Sequence, residues 1–208
     1  MFSKEELPIL GILRGISEKH IDPLLSIFSK TGINHIEITM NTPGAASLIK
    51  KVIDRADKDL KVGAGTVLST LELNVALQAG ASFIVSPSLV EEVILDCVEQ
   101  KIPVFPGALT PTEVYTAWTM GATMVKLFPA GLYGPDYISA LKGPFGNIPI
   151  MAVGGIDAQN ILDFFRKGAD AVAFGSGILR TEWIQSNRFD LIEEKLQLLI
   201  NSYRTGNK

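Results

Sequence analysis

Two residues stand out as able to do chemistry: the lysine of Met124-Val-Lys-Leu-Phe128 and the glutamate of Ile36-Glu-Ile38. Each is flanked by aliphatic side chains, in a run that otherwise reads as a buried strand. Side chains alternate across a strand. If Ile36, Ile38, Val125 and Leu127 face a layer of helices, Glu37 and Lys126 point into one shared interior. An ammonium buried there either costs several kcal/mol or has its pKa forced down. A lysine that is neutral near pH 7 can attack a carbonyl, and the resulting Schiff base is an electron sink. A carboxylate nearby can move protons to and from water, carbinolamine and a substrate hydroxyl. A buried ion pair with no chemical role would leave the same two-residue pattern, so the surroundings have to decide.

The elements that must position this pair are legible as a repeat. Apolar, β-branched runs occur at 9–15, 33–40, 61–67, 83–87, 102–108, 124–130, 148–155 and 170–177. Segments with apolar residues at helical spacing lie between them, among them 20–30, 42–56, 70–80 and 158–168. Gly32, Gly80, Gly121 and Gly168 fall where a helix should end and a strand begin. Strands this apolar on both faces belong to a parallel sheet covered by helices. An open doubly wound sheet also fits the alternation. The count of eight favours a (β/α)8 TIM barrel, one domain over residues 1–208 closed by a helix in 189–208.

In a barrel the reactive side chains stand at the C-terminal ends of the strands. The unusual residues fall there: Arg14 ends strand one, Glu37 and Thr39 end strand two, Thr66 ends strand three and Pro87 closes strand four. Lys126 lies late in strand six, Gly154-Gly155 end strand seven, and Gly175-Ser176 end strand eight. Loops after strands seven and eight commonly bind phosphate through backbone N–H groups, often with a short helix aimed at the anion. Ser176 adds a hydroxyl donor. The glycines of KVGAGTV do not make a dinucleotide fingerprint, because Leu68 stands at the third glycine. These residues alone also admit a phosphate-binding isomerase or synthase, or a non-catalytic anion-binding barrel.

Composition narrows the partners. Nineteen Lys and Arg against 22 Asp and Glu give a net charge of -3 and no basic stripe for nucleic acid. No apolar run reaches the roughly 20 residues that span a bilayer. The N-terminal MFSKEELPILGILRG, with two glutamates before its apolar stretch, makes a poor signal peptide, so a cytoplasmic protein is expected. Cys97 lies in an amphipathic pattern and reads as a small core residue. No clustered His, Cys or acidic spacing suggests a metal. Neither His20 nor His35 falls at a strand C-terminus, and both read as structural.

Taken in order, ILRGI, IEIT, VGAGTV, IVSP, FPGALTPTE, VKLFPA, GPFGN and VGGI resemble the KDPG/KHG aldolases over nearly the whole chain. These are class I enzymes for 2-keto-3-deoxy-6-phosphogluconate and 4-hydroxy-2-oxoglutarate. The resemblance implies Lys126 as the Schiff-base lysine and Glu37 as the general acid/base. It places Thr66, Pro87 and Phe128 in a pyruvate pocket, and Gly154, Gly155, Gly175 and Ser176 in a phosphate cradle. It implies no metal or cofactor, small-molecule substrates, and a homotrimer. Two departures concern specificity. An arginine that many family members carry beyond the glutamate is missing, Asn41 standing in that region, so Arg14 is expected to meet the substrate carboxylate. Val153 replaces a threonine. Both features resemble the branch acting on the C4 epimer, the 6-phosphogalactonate acid.

Overall fold

The computed structural model describes residues 6–206. The signal-peptide reading rests partly on residues 1–5, and the polar end of the last helix includes 207–208; both lie outside the described residues. Nine strand segments form one all-parallel sheet. They are β1 (Ile9–Leu13), β2 (His35–Thr39), β3 (Lys61–Gly65), β4 (Ile84–Val85), β5 (Val104–Phe105), β6 (Gly107–Ala108), β7 (Val125–Leu127), β8 (Ile150–Val153) and β9 (Ala171–Phe174). Their order is β5-β4-β3-β2-β1-β9-β8-β7-β6, so the two ends of the sheet are consecutive in the chain. The expected fifth strand is divided at Pro106, whose ring removes a ladder donor. Its carbonyl is still used, accepting the Lys126 N–H at 2.9 Å. The fold is therefore the expected barrel, with strand five in two pieces and the circle closed through the chain itself.

Helices follow the strands on the outside. The main ones are α1 (Ile21–Thr31), α2 (Ala45–Arg55), α3 (Thr70–Gln78), α4 (Glu91–Glu99) and α5 (Pro111–Thr119). After β7 come α6 (Ala130–Tyr133) and α7 (Pro135–Lys142); α8 (Ile161–Arg166), α9 (Thr181–Gln185) and the closing α10 (Phe189–Gly206) complete the series. The four glycines expected at helix ends have φ of 77°, 98°, 98° and 102°, the left-handed backbone that stops a helix cleanly. Thr110 and Glu113 form a reciprocal capping box on α5, which fixes where the chain leaves β6.

The core divides by strand alternation into two layers. Ile36, Ile38, Val125 and Leu127 pack with the helices in the outer layer. The barrel interior is filled by Leu10, Phe83, Val85, Phe105, Met151 and Val153, with Ala171 and Ala173. Large and small residues alternate there as the taper requires. Gly63 leaves the space that the Phe83 ring occupies, and Phe83 meets Phe105 edge-on at 5.8 Å. Cys97 is buried, and burial pushes its thiol up to about 12, so it stays unreactive near neutral pH.

Candidate active site

At the C-terminal end of the barrel the interior opens into a cleft of about 680 Å³. Lys126 reaches it from β7 and is 6% exposed; its Nζ lies 5.4 Å from the centre of the Phe128 ring. The neighbouring strand positions are Gly107 on one side and Met151 on the other. Gly107 must lack a side chain, because a Cβ there would run into the backbone of Pro87. Glu37 is 1% exposed and forms no part of the cleft wall. Its carboxylate lies across Gly65, on the strand beside it, where any Cβ would collide with Oε1. Glycine at 65 is thus what allows a full-length carboxylate to fold down inside the barrel.

No ion pair within 4.0 Å joins Glu37 and Lys126 among the described residues, and Glu37 Oε2 is buried without a hydrogen-bond partner. The static ion pair that the two-residue pattern allowed is therefore not what the interior contains. Burial lowers the Lys126 pKa from its ordinary value, the positive charge of Arg14 adds to that, and Glu37 opposes it. Burial likewise raises Glu37, against the pull of Lys126 and Arg14. Desolvation wins on both sides, so the pair leans toward a neutral amine and a neutral acid. A nucleophile and a proton donor are what carbonyl attack requires.

Arg14, after β1, is exposed to the cleft and donates from Nη2 to Thr66 Oγ1 at 3.4 Å. That contact carries its guanidinium across β2 toward β3. Thr66 has a φ of 54°, an uncommon conformation for a β-branched residue and a local strain at the mouth. The loops beneath are tied together by Thr42, whose Oγ1 accepts the Gly15 N–H at 3.0 Å and lies 3.0 Å from Thr39 Oγ1. Pro87, Phe128 and Val153 line the same cleft, as do Gly154, Gly155, Gly175 and Ser176. Residues 175–179 form a tight turn, with the Ile178 and Leu179 N–H groups both donating to Gly175 O. A short helix, α9, begins only at Thr181.

The family model for KDPG and KHG aldolase matches residues 3–195. The chain belongs to that family. It is 33% identical over 176 residues to the 2-dehydro-3-deoxy-6-phosphogalactonate aldolase of Escherichia coli K12, covering 84% of this chain and 86% of the relative. It is also 33% identical over 198 residues to the 2-dehydro-3-deoxy-phosphogluconate aldolase of Haemophilus influenzae, covering 94% and 92%. A solved structure described as native KDPGal superposes with a TM-score of 0.92 at 29% identity, covering 100% of this chain and 99% of the other. Relatives acting on both C4 epimers thus stand at equal identity, and identity alone does not choose between them.

Around this cleft the structure adds residues that the sequence reading did not single out. Gly131, at the start of α6, donates its N–H to Gly154 O at 2.8 Å. A Cβ on Gly131 would stand 2.6 Å from that oxygen and 2.9 Å from Gly155 Cα, so this glycine sets the position of the Gly154-Gly155 turn. Ile12 and Ala173 floor the cleft, and Asp157 and Arg180 lie on its rim. Gly131 carries no mark in sequence beyond following VKLFPA, since its partner lies over 20 residues away. Neither His20 nor His35 lines the cleft, as expected.

Proposed function

We propose that the chain is a one-domain class I aldolase that reversibly cleaves a 2-keto-3-deoxy-6-phospho sugar acid to pyruvate and D-glyceraldehyde 3-phosphate. The single observation that carries the reading is a lysine and a carboxylate buried together under a cleft, both driven toward their neutral forms. Lys126 attacks the C2 carbonyl to give a carbinolamine, and loss of water leaves an iminium. As the C4 hydroxyl loses its proton, the C3–C4 electrons move into the iminium, the aldehyde leaves, and an enamine of pyruvate remains. Protonation at C3 and hydrolysis release pyruvate and restore the amine. Glu37 supplies and collects these protons. Thr66, Pro87 and Phe128 hold the pyruvate half, Arg14 its carboxylate, and the Gly154-Gly155 and Gly175-Ser176 turns the phosphate. 4-Hydroxy-2-oxoglutarate, cleaved to pyruvate and glyoxylate, presents the same reacting carbons and is a secondary substrate. The reaction as written requires no redox step. Incubation with pyruvate followed by borohydride tests the mechanism: a covalent mass increase on the Lys126 peptide is expected, and its absence sinks the reading.

At C4 the site leans toward the galactonate epimer or toward relaxed stereochemistry, and Val153 is the residue behind that reading. Val153 faces the cleft beside Ala173 and is 2% exposed, so the wall at this point offers no hydrogen bond to a C4 hydroxyl. A site that hydrogen-bonds a hydroxyl discriminates strongly, whereas an apolar wall discriminates weakly. Val153→Thr is expected to move the ratio of kcat/KM for the two epimers toward the gluconate by roughly tenfold. An unchanged ratio would remove Val153 from the specificity argument.

Cytoplasmic residence and a homotrimer are part of the same proposal. A doubly charged phosphate ester does not cross a bilayer unaided, and no helix among the described residues is long and apolar enough to span one. Leu71, Leu132 and Tyr133 are 72%, 83% and 54% exposed, apolar surface that an assembly would cover. Light scattering should give three times the 22.5 kDa chain mass; a monomer mass excludes the trimer.

A further inference from the structure

A phosphate monoester is a dianion near neutral pH, and the glycine turns assigned to it supply N–H dipoles and one hydroxyl but no full positive charge. The charged side chains around the cleft are Lys126, Arg14, Asp157 and Arg180. Lys126 is reserved for the carbonyl at the bottom. Arg14 is drawn toward β3 by its hydrogen bond to Thr66, away from the turn after β9. Asp157 is engaged in its own loop, its Oδ1 accepting the N–H groups of Gln159 at 2.8 Å and Asn160 at 3.2 Å.

Arg180 differs from the others. It lies on the cleft rim four residues beyond Ser176, between that turn and α9, and is exposed. Its guanidinium stands 5.0 Å from the Trp183 ring centre, which holds it by cation–π attraction without satisfying its N–H donors. Among the described residues no carboxylate forms an ion pair with it. A guanidinium braced by an aromatic face, with its planar fork of donors unused, suits bidentate capture of a phosphate.

We propose that Arg180 is a specificity-determining residue of this aldolase: it closes over the substrate phosphate from the rim and sets the preference for phosphorylated over unphosphorylated substrates. The inference rests on the aldolase reading above, and on Ser176 and its turn as the phosphate end of the cleft. Asp157 bears on it as well, since a carboxylate on the same rim weakens a diffuse attraction for anions and leaves a directed contact to do the selecting.

The experiment compares parent, Arg180→Gln and Arg180→Lys on a 6-phosphorylated 2-keto-3-deoxy sugar acid and on its unphosphorylated counterpart. Loss of a hydrogen bond to a charged group predicts a fall of roughly tenfold to a hundredfold in kcat/KM for the phosphorylated substrate, mostly through KM. The ratio of phosphorylated to unphosphorylated kcat/KM should fall at least tenfold in Arg180→Gln and less in Arg180→Lys. Competitive inhibition by inorganic phosphate should weaken in parallel. Equal losses on both substrates, or an unchanged ratio and unchanged phosphate inhibition, overturn the proposal. Borohydride trapping of pyruvate on the parent protein separates the two failures. Absence of that adduct refutes the aldolase mechanism and the inference with it, whereas a normal adduct with an unchanged substrate ratio refutes the role of Arg180 alone.

Discussion

Lys126→Ala is expected to lower kcat/KM for aldol cleavage on the order of 10^4-fold or more and to eliminate the borohydride-trapped pyruvate adduct. The cleft, the cradle and Glu37 would all persist, so substrate could still bind. What disappears is the electron sink, and without it the C3–C4 bond has nowhere to send its electrons. The residue is a poor choice for stability, which sharpens the test. Burial lowers its pKa below the ordinary 10.5, so the unfolded chain binds more protons at every pH between the folded and unfolded values. Stability in the parent therefore rises with pH toward 10.5, and the variant should lose that part of the rise, read as a flatter dependence of Tm on alkaline pH. Residual cleavage within tenfold of the parent, or a pyruvate adduct on another lysine, would remove Lys126 from the mechanism.

The barrel was legible because its evidence is repetitive. Eight apolar runs, helices between them and a glycine at every second junction agree with one another, so an error in one run costs little. The inward direction of Glu37 and Lys126 followed from alternation alone, and the outer-layer packing of Ile36, Ile38, Val125 and Leu127 bears it out. Contacts made between strand ends far apart in the sequence were harder to read. Arg14 and Thr66 meet across 52 residues, and Thr66 adopts a left-handed backbone that its own side chain disfavours. Gly65 was visible only as part of a glycine-rich strand, although its role depends on the carboxylate lying over it. Arg180 gave no signal at all, because an arginine after a turn is ordinarily solvated. Its interest comes from the shared rim and from Trp183, which only the folded turn brings beneath it.

Glu37→Gln separates proton transfer from nucleophilic attack. Glutamine keeps the shape that lies over Gly65, so the barrel interior is preserved, but it cannot exchange the proton. Turnover is expected to fall about 10²–10⁴-fold, the usual weight of general acid–base catalysis. Trapping with pyruvate and borohydride should still reach the same end point, only more slowly, since the amine remains available. The pH dependence gives a second readout with a definite sign. In the parent, the Glu37 charge raises the Lys126 pKa against burial and against Arg14. Whatever fraction of Glu37 is ionised lifts the lysine, so in the variant the acid limb of adduct formation should move to lower pH or, where burial already keeps Glu37 neutral, stay in place. A limb that moves to higher pH would contradict the coupling of the two groups. Cleavage within tenfold of the parent would refute the acid/base role outright, and complete loss of the adduct would make Glu37 a positioning residue for the lysine.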